Sequence, residues 1–409
     1  MRQMLAVVLG FVYLAFIVGC GNNSSTTKTI SDSFPTPVPA LTSPGVMGGA
    51  KQGVGPLSFN NYSVGTLTGS VAGFSNHSTA VSPPAKFNRP IAVTTDGTFL
   101  YVADFFNNVI RRIEIKTGID ITLAGSTKGA AGFANTAPGV TALFNRPSGI
   151  TTDGINLYVA DSGNFLIRKI VISTGEVTSV AGTQGAPGSV DDPVGASAKF
   201  NDLNGITTDG TSLFVTDSNN TIRRIALSGT FPVTTLAGTP GKVGSTDTKD
   251  ATANNPVSFN QPARLTTDGQ NLYVTDFGDG TIRKIDLRDG TVSTIAGTSG
   301  PGGIAGSDKD GIGTDARFNQ PSGITTDGTN LYVTDSFANT VRQIVIATKK
   351  TTTVAGPAVQ PSDPAASAGS IDARNGIAAR FNTPIDITTD GVSLYIVDIE
   401  NHKIRRIKD

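Results

Sequence analysis

FNRPSGITTDGINLYVADSGNFLIRKI, running from Phe144 to Ile170, decides the fold because the chain repeats it. FNDLNGITTDGTSLFVTDSNNTIRRI begins at Phe200, FNQPARLTTDGQNLYVTDFGDGTIRKI at Phe259 and FNQPSGITTDGTNLYVTDSFANTVRQI at Phe318. An earlier copy, FNRPIAVTTDGTFLYVADFFNNVIRRI, begins at Phe87, and a last one, FNTPIDITTDGVSLYIVDIENHKIRRI, at Phe381. Recurrence at roughly sixty residues marks an architecture assembled from equal units. Within a unit, segments such as GITT, NLYVTD, TIRKI and VSTIAG are short, β-branched or aromatic, and bounded by Asp-Gly, Asn or Gly. That is four strands and no helix. Asp-Gly between the first two strands predicts a tight hairpin, because a primed turn needs a positive φ that Gly supplies without a Cβ clash.

A four-stranded sheet with two apolar faces cannot stand alone, so six such units are expected to pack face to face around an axis. The expectation is an all-β, six-bladed β-propeller with four-stranded antiparallel blades. The sixth copy lacks its fourth strand, whereas Ser70-Val71-Ala72-Gly73 resembles the fourth strands Ser179–Gly182 and Thr294–Gly297. Residues around Leu67 to Gly73 are therefore expected to complete the last blade and close the ring, shielding open edges.

Ahead of the repeats, an apolar run from Met4 to Val18 follows Arg2, too short for an ordinary membrane span and suited to the core of a secretory signal. It closes on Ile17-Val18-Gly19-Cys20, which resembles the bacterial lipobox and holds the only cysteine of the chain. The resemblance implies lipidation at Cys20, anchorage in a bacterial cell envelope and, since Gly rather than Asp follows, the outer membrane of a diderm host. Ser, Thr, Pro, Gly and Asn dominate the next stretch, which reads as a tether. The expected organisation is a signal peptide over 1–19, lipidated Cys20 and a disordered tether over 20–60, and the propeller over 61–409, working as a monomer.

The repeat pattern Phe-x-x-Pro-x-Gly-Ile, Leu-Tyr-Val-x-Asp, Asn-x-Ile-Arg and Gly-x-Val-x-Thr-x-Ala-Gly resembles the NHL-repeat family across about residues 67 to 409. That resemblance implies the propeller fold and a choice of roles. NHL proteins include protein- and RNA-binding platforms, while related six-bladed propellers include hydrolases and lyases. One fold hosts many functions, so the chain's own residues must decide.

Thirty-two basic residues balance thirty-two acidic ones among 409, which argues against nucleic acid as a partner. One cysteine and two histidines, His77 and His402, leave little for thiolate or imidazole metal sites or for histidine-based catalysis. Asp104, Asp161, Asp217, Asp276, Asp335 and Asp398 recur after the second strand, and Arg111, Arg168, Arg223, Arg283, Arg342 and Arg405 recur in the third. A group needed for one catalytic event has no reason to appear six times with a matched partner, so these pairs are expected to be framework. Asp308-Lys309-Asp310-Gly311 with Asp315 suggests calcium, as do similar loops at Asp191, Asp247 and Asp372. The third ligand in register and the closing Glu are missing, so solvated acidic loops are expected and no cofactor is assigned.

Departures from the repeat are more informative. Ile91, Arg264, Ile385 and Asp386 replace the common pair after Phe-Asn-x-Pro, and Phe105, Phe106, Phe277, Phe337 and Ile399 stand where Ser or small residues follow the strand-ending Asp. All would open on one face. Ile91, Phe105, Phe106, Ile385 and Ile399, from blades adjacent in a closed ring, would form an exposed apolar patch, with Arg264 and Asp386 near the channel mouth. The function expected is a non-catalytic scaffold presenting this face to a protein or glycan. The alternative is a calcium-assisted hydrolase or lactonase, or a lyase, with its site in the central channel.

Overall fold

Blade 1 shows how one repeat folds. Its strands are Pro90–Thr95, Phe99–Asp104, Val109–Glu114 and Asp120–Ala124, ordered from the axis outward in chain order. The first hairpin turns at Gly97, where φ is 87°, and Asp96 secures it. Asp96 Oδ1 accepts the backbone N–H groups of Thr98 and Phe99, both at 2.8 Å, and Oδ2 accepts the Tyr101 hydroxyl. The repeated Asp-Gly is thus a turn device, as expected.

The computed structural model describes residues 56–57, 62–76, 85–247, 256–299, 308–357 and 367–408. The expected signal peptide, Cys20, the tether as far as residue 55 and His77 lie outside the described residues. Six sheets repeat the blade 1 pattern. Their inner strands touch in sequence, from Pro90–Thr95 through Pro147–Thr152, Leu203–Thr208, Pro262–Thr267 and Pro321–Thr326 to Pro384–Thr389, which returns to the first. The ring is closed, and blades 1 and 4 stand on opposite sides of it. The core lies between blades: Tyr158, Ile167 and Val180 of blade 2 pack with Phe200, Ile206, Leu213 and Val215 of blade 3. Such a side chain contributes about 1.5–3 kcal/mol when fully buried, so neighbouring blades stabilise one another.

Ring closure uses an N-terminal strand, as expected, but four residues earlier than the outer-strand resemblance suggested. Ser63–Gly69 pairs antiparallel with Lys403–Lys408, from Ser63 opposite Lys408 to Gly69 opposite Lys403. The physical reason is Gly69. Its φ of 100° matches Gly125 and Gly182, which follow the outer strands of blades 1 and 2, and a Cβ there would lie 2.4 Å from the His402 carbonyl oxygen. Gly73 instead belongs to the loop into blade 1, where its N–H donates to the Phe87 carbonyl as that of Gly132 does to Phe144.

Loops arriving from the preceding blade also cover part of the outer edges, through the bridges Asp192–Val233 and Ala373–Val64 and the two-residue strand Gly311–Ile312 against Lys350–Ala355. The propeller therefore has two faces: an entry face, where inner strands begin and second strands end, and a hairpin face carrying the Asp-Gly turns.

Candidate functional site

The residues repeated six times form a buried knot in each blade. Asp276 Oδ1 accepts the Asn260 N–H at 2.7 Å, and its Oδ2 accepts Arg283 Nη1 at 2.8 Å. The Arg283 guanidinium lies 5.0 Å above the Phe259 ring and also bonds the Ser258 and Thr246 carbonyls. Phe-Asn, the strand-ending Asp and the third-strand Arg are thus one interaction, with Asp276 and Arg283 both fully buried. Burial pushes the carboxyls of Asp104, Asp161 and Asp217 up to about 6, and those of Asp276 and Asp335 up to about 7, against the pull of each partner arginine.

The acidic loops belong to the same knots. Asp247 Oδ1 accepts Arg283 Nη2 at 2.6 Å, and its Oδ2 accepts the Thr294 N–H at 2.8 Å. Asp191, Asp310 and Asp372 make the same pair of contacts with Arg223 and Thr235, Arg342 and Thr353, and Arg405 and Thr66. These carboxylates hold arginine and backbone where a calcium loop would need them turned to a cation. In blade 1 Asn76 takes the loop position, and Asp120, on the outer strand, binds Arg111 instead. Blade 2 has Asn135 there, leaving Arg168 with Asp161 as its carboxylate partner among the described residues.

On the entry face, Ile91, Ile385 and Ile399 are buried to 2% or less, and Phe105 and Phe277 are buried too. The expected open apolar patch does not form. Ile91 and Ile385 stand within the inner strands, and Phe105 and Ile399 open short 3-10 turns, Phe105–Asn107 and Ile399–Asn401, that bury the first residue. Phe106, next in the turn, is 41% exposed, and Phe337 is half-buried. The Phe106 ring meets Phe105 edge-on, with centroids 5.0 Å apart, while the Arg89 guanidinium lies 6.0 Å over it and pairs with Glu400 from blade 6.

Arg264 and Asp386 are buried deep in the channel rather than set at its mouth. Both occupy the third position of an inner strand, which is Ala92, Gly149, Gly205 and Gly323 in the other blades. Inner strands approach closely here: a Cβ on Gly323 would lie 2.5 Å from the Asp386 Cα. Arg264 extends instead across the axis. Nη1 donates to the Asn204 carbonyl of blade 3 at 2.6 Å, and Nη2 to the Ile91 carbonyl of the opposite blade 1 at 2.8 Å. Nε lies 3.7 Å from Asp386 Oδ1, while Asp386 Oδ2 accepts the Val93 N–H at 2.9 Å. Burial pushes Asp386 up to about 6 and lowers Arg264, each opposed by its partner's charge.

Beyond this bar the cavity is ringed by Val93, Ile150, Ile206, Leu265, Ile324 and Ile387, then by Thr94, Thr151, Thr207, Thr266, Thr325 and Thr388. Its free space, open mouth included, is about 410 Å³.

No family model matches the chain. Human NHL repeat-containing protein 2 is 28% identical over 293 residues, 64% of this chain and 39% of that protein. Its name matches the repeat motif read in this chain. The chain is an NHL-repeat β-propeller. This NHL-repeat propeller spans less than half the length of the curated relatives it matches. Two solved structures share the fold over 85% of this chain and 76% of their own. A protein of unknown function from Bacteroides thetaiotaomicron has a TM-score of 0.60 at 21% identity, and an auxiliary nutrient binding protein from Bacteroides ovatus 0.57 at 16%.

Sequence reasoning missed one further device of the NHL-repeat propeller, a staple between blades. The residue after Phe-Asn donates its N–H to a side chain of the previous blade: Arg146 to Asn108, Gln261 to Asn220 and Thr383 to Asn339. At the closing seam Arg89 donates to His402 Nδ1 at 3.1 Å, so a histidine stands where three of the other seams use asparagine. Aligning Asn108, Asn220, Asn339 and His402 across the repeats would have exposed it.

Proposed function

We propose that this NHL-repeat propeller is an exported, lipid-anchored binding scaffold of the cell envelope that engages a protein or glycan through its entry face, without catalysis. The carrying observation is the exposed Phe106 beside the Arg89–Glu400 pair at the seam of blades 1 and 6. An exposed aromatic flanked by both charges offers apolar area and directional polar contacts together. The Bacteroides ovatus neighbour, called an auxiliary nutrient binding protein, is a precedent for binding on this fold.

A calcium-assisted hydrolase would need carboxylates converging on the axis. Asp386, the one carboxylate lining the channel cavity, is matched by Arg264, and among the described residues no three His, Cys, Asp or Glu side chains group as metal ligands.

The test is crosslinked capture from envelope extracts, comparing the parent with Phe106→Asp. Recovery of one partner by the parent and its loss with the variant supports the face; equal recovery removes it. Cys20→Ser should release the protein from the membrane fraction, and unchanged partitioning would overturn the anchor.

A further inference from the structure

Arg264 runs from blade 4 to the Ile91 carbonyl of blade 1, across the full width of the ring, and forms a floor to the space beyond it. Residues at the first two positions of the inner strands do not line that space, whereas those at the fourth and fifth positions do in all six blades and those at the third in blades 1, 2, 4 and 6. The space therefore lies on the hairpin side of the bar, away from Phe106.

Two features of the pit point to a ligand. The floor carries one guanidinium and one carboxylate, so it favours a neutral guest over an ion of either sign. Above it lies the apolar ring, and then six threonines whose hydroxyls make no hydrogen bond among the described residues, yet are not among the sealed, unpaired atoms. Polar groups at both ends of an apolar belt suit a molecule with hydroxyls along a carbon frame.

We propose that the axial pit binds the hydroxyl-bearing end of a small neutral polyol or sugar, its hydroxyls meeting the threonine ring above the Arg264–Asp386 bar. The site is independent of the entry face, and neither proposal needs the other.

The experiment is saturation-transfer NMR on the full-length chain with glycerol and D-glucose as separate probes, which distinguishes a free polyol from a sugar. At least one probe should bind saturably, and Thr207→Val with Thr325→Val should weaken it about tenfold, because the shape is kept and the hydroxyls are lost. A second pair, Thr94→Val with Thr266→Val, repeats the test should the first lower the melting temperature. Phe106→Asp should leave binding unchanged. Failure of both probes to saturate by about 100 mM, or unaltered affinity in both threonine pairs, overturns the proposal.

Discussion

The buried knots and the channel bar use the same chemistry, an arginine against an aspartate under near-complete burial, and differ in how often they occur. Arg283 and Asp276 have counterparts in every blade; Arg264 and Asp386 have none. The knot ties strands of one blade to its incoming loop, so each repeat needs its own. The bar joins blades 3, 4 and 1 beside blade 6, and one suffices to obstruct the axis. Repetition therefore marks framework in this molecule, and a broken repeat marks something the ring does once.

The largest effect should come from breaking a knot. Asp161→Ala removes the carboxylate partner of a buried arginine, and removing one partner of a buried pair typically costs about 3–5 kcal/mol. Asp276→Ala should cost less, because Asp247 still faces Arg283. Urea denaturation of the two variants ranks them, and equal losses would show that the loop carboxylates contribute nothing to the knots.

The bar should come next. Asp386→Ala strands the Arg264 charge and the Val93 N–H, at a cost of about 2–4 kcal/mol. Asp386→Asn keeps an acceptor, and because burial already pushes this carboxyl up to about 6, the amide should be far better tolerated near neutrality. If Asn proves as damaging as Ala, the charge pairing and not the hydrogen bond holds the bar.

A smaller effect is expected at the closing seam, where it depends on pH. Burial and the Arg89 charge lower the pKa of His402, so the unfolded chain binds the proton more readily. The contribution of neutral His402 is complete above the unfolded value of 6.5 and is lost as pH falls below it. His402→Asn, which copies the staple of blades 1, 3 and 5, should therefore gain stability relative to the parent between about pH 8 and about pH 5, by no more than about 1 kcal/mol for so exposed a group. The buried aspartates titrate in the same window with the opposite sign, since their pKa values are raised and protonation favours the folded state. The difference in melting temperature between parent and variant at each pH isolates the histidine, and a constant difference would remove it from the seam.

Strand number, blade order and the Asp-Gly turns were legible in the sequence because each rests on local chemistry repeated six times. The closing strand was legible in kind and displaced in place. Both TLTG and SVAG end in glycine, and only the contact of Gly69 with the His402 carbonyl distinguishes them. Ile91, Phe105, Ile385 and Ile399 were misplaced for another reason. A 3-10 turn sends adjacent residues to opposite environments, and no hydrophobic period marks which of Phe105 and Phe106 faces solvent. Arg264 could be singled out as a departure, but its partner Ile91 is 173 positions away and meets it only once the ring has closed.

The smallest expected change in stability is at Phe106. A partly exposed side chain outside the core should tolerate aspartate within about 0.5 kcal/mol, whereas Phe105→Asp would bury an unpaired carboxylate beside it and unfold a large fraction of the protein. The two substitutions differ by one position and not at all in chemistry, so the gap between their denaturation midpoints measures burial alone. Comparable losses from both would mean that the Phe106 ring, through its edge contact with Phe105 and its place under Arg89, is part of the closing seam. In that event the same residue could not serve as a free contact for a partner, and the entry face would have to be argued from Arg89 and Glu400.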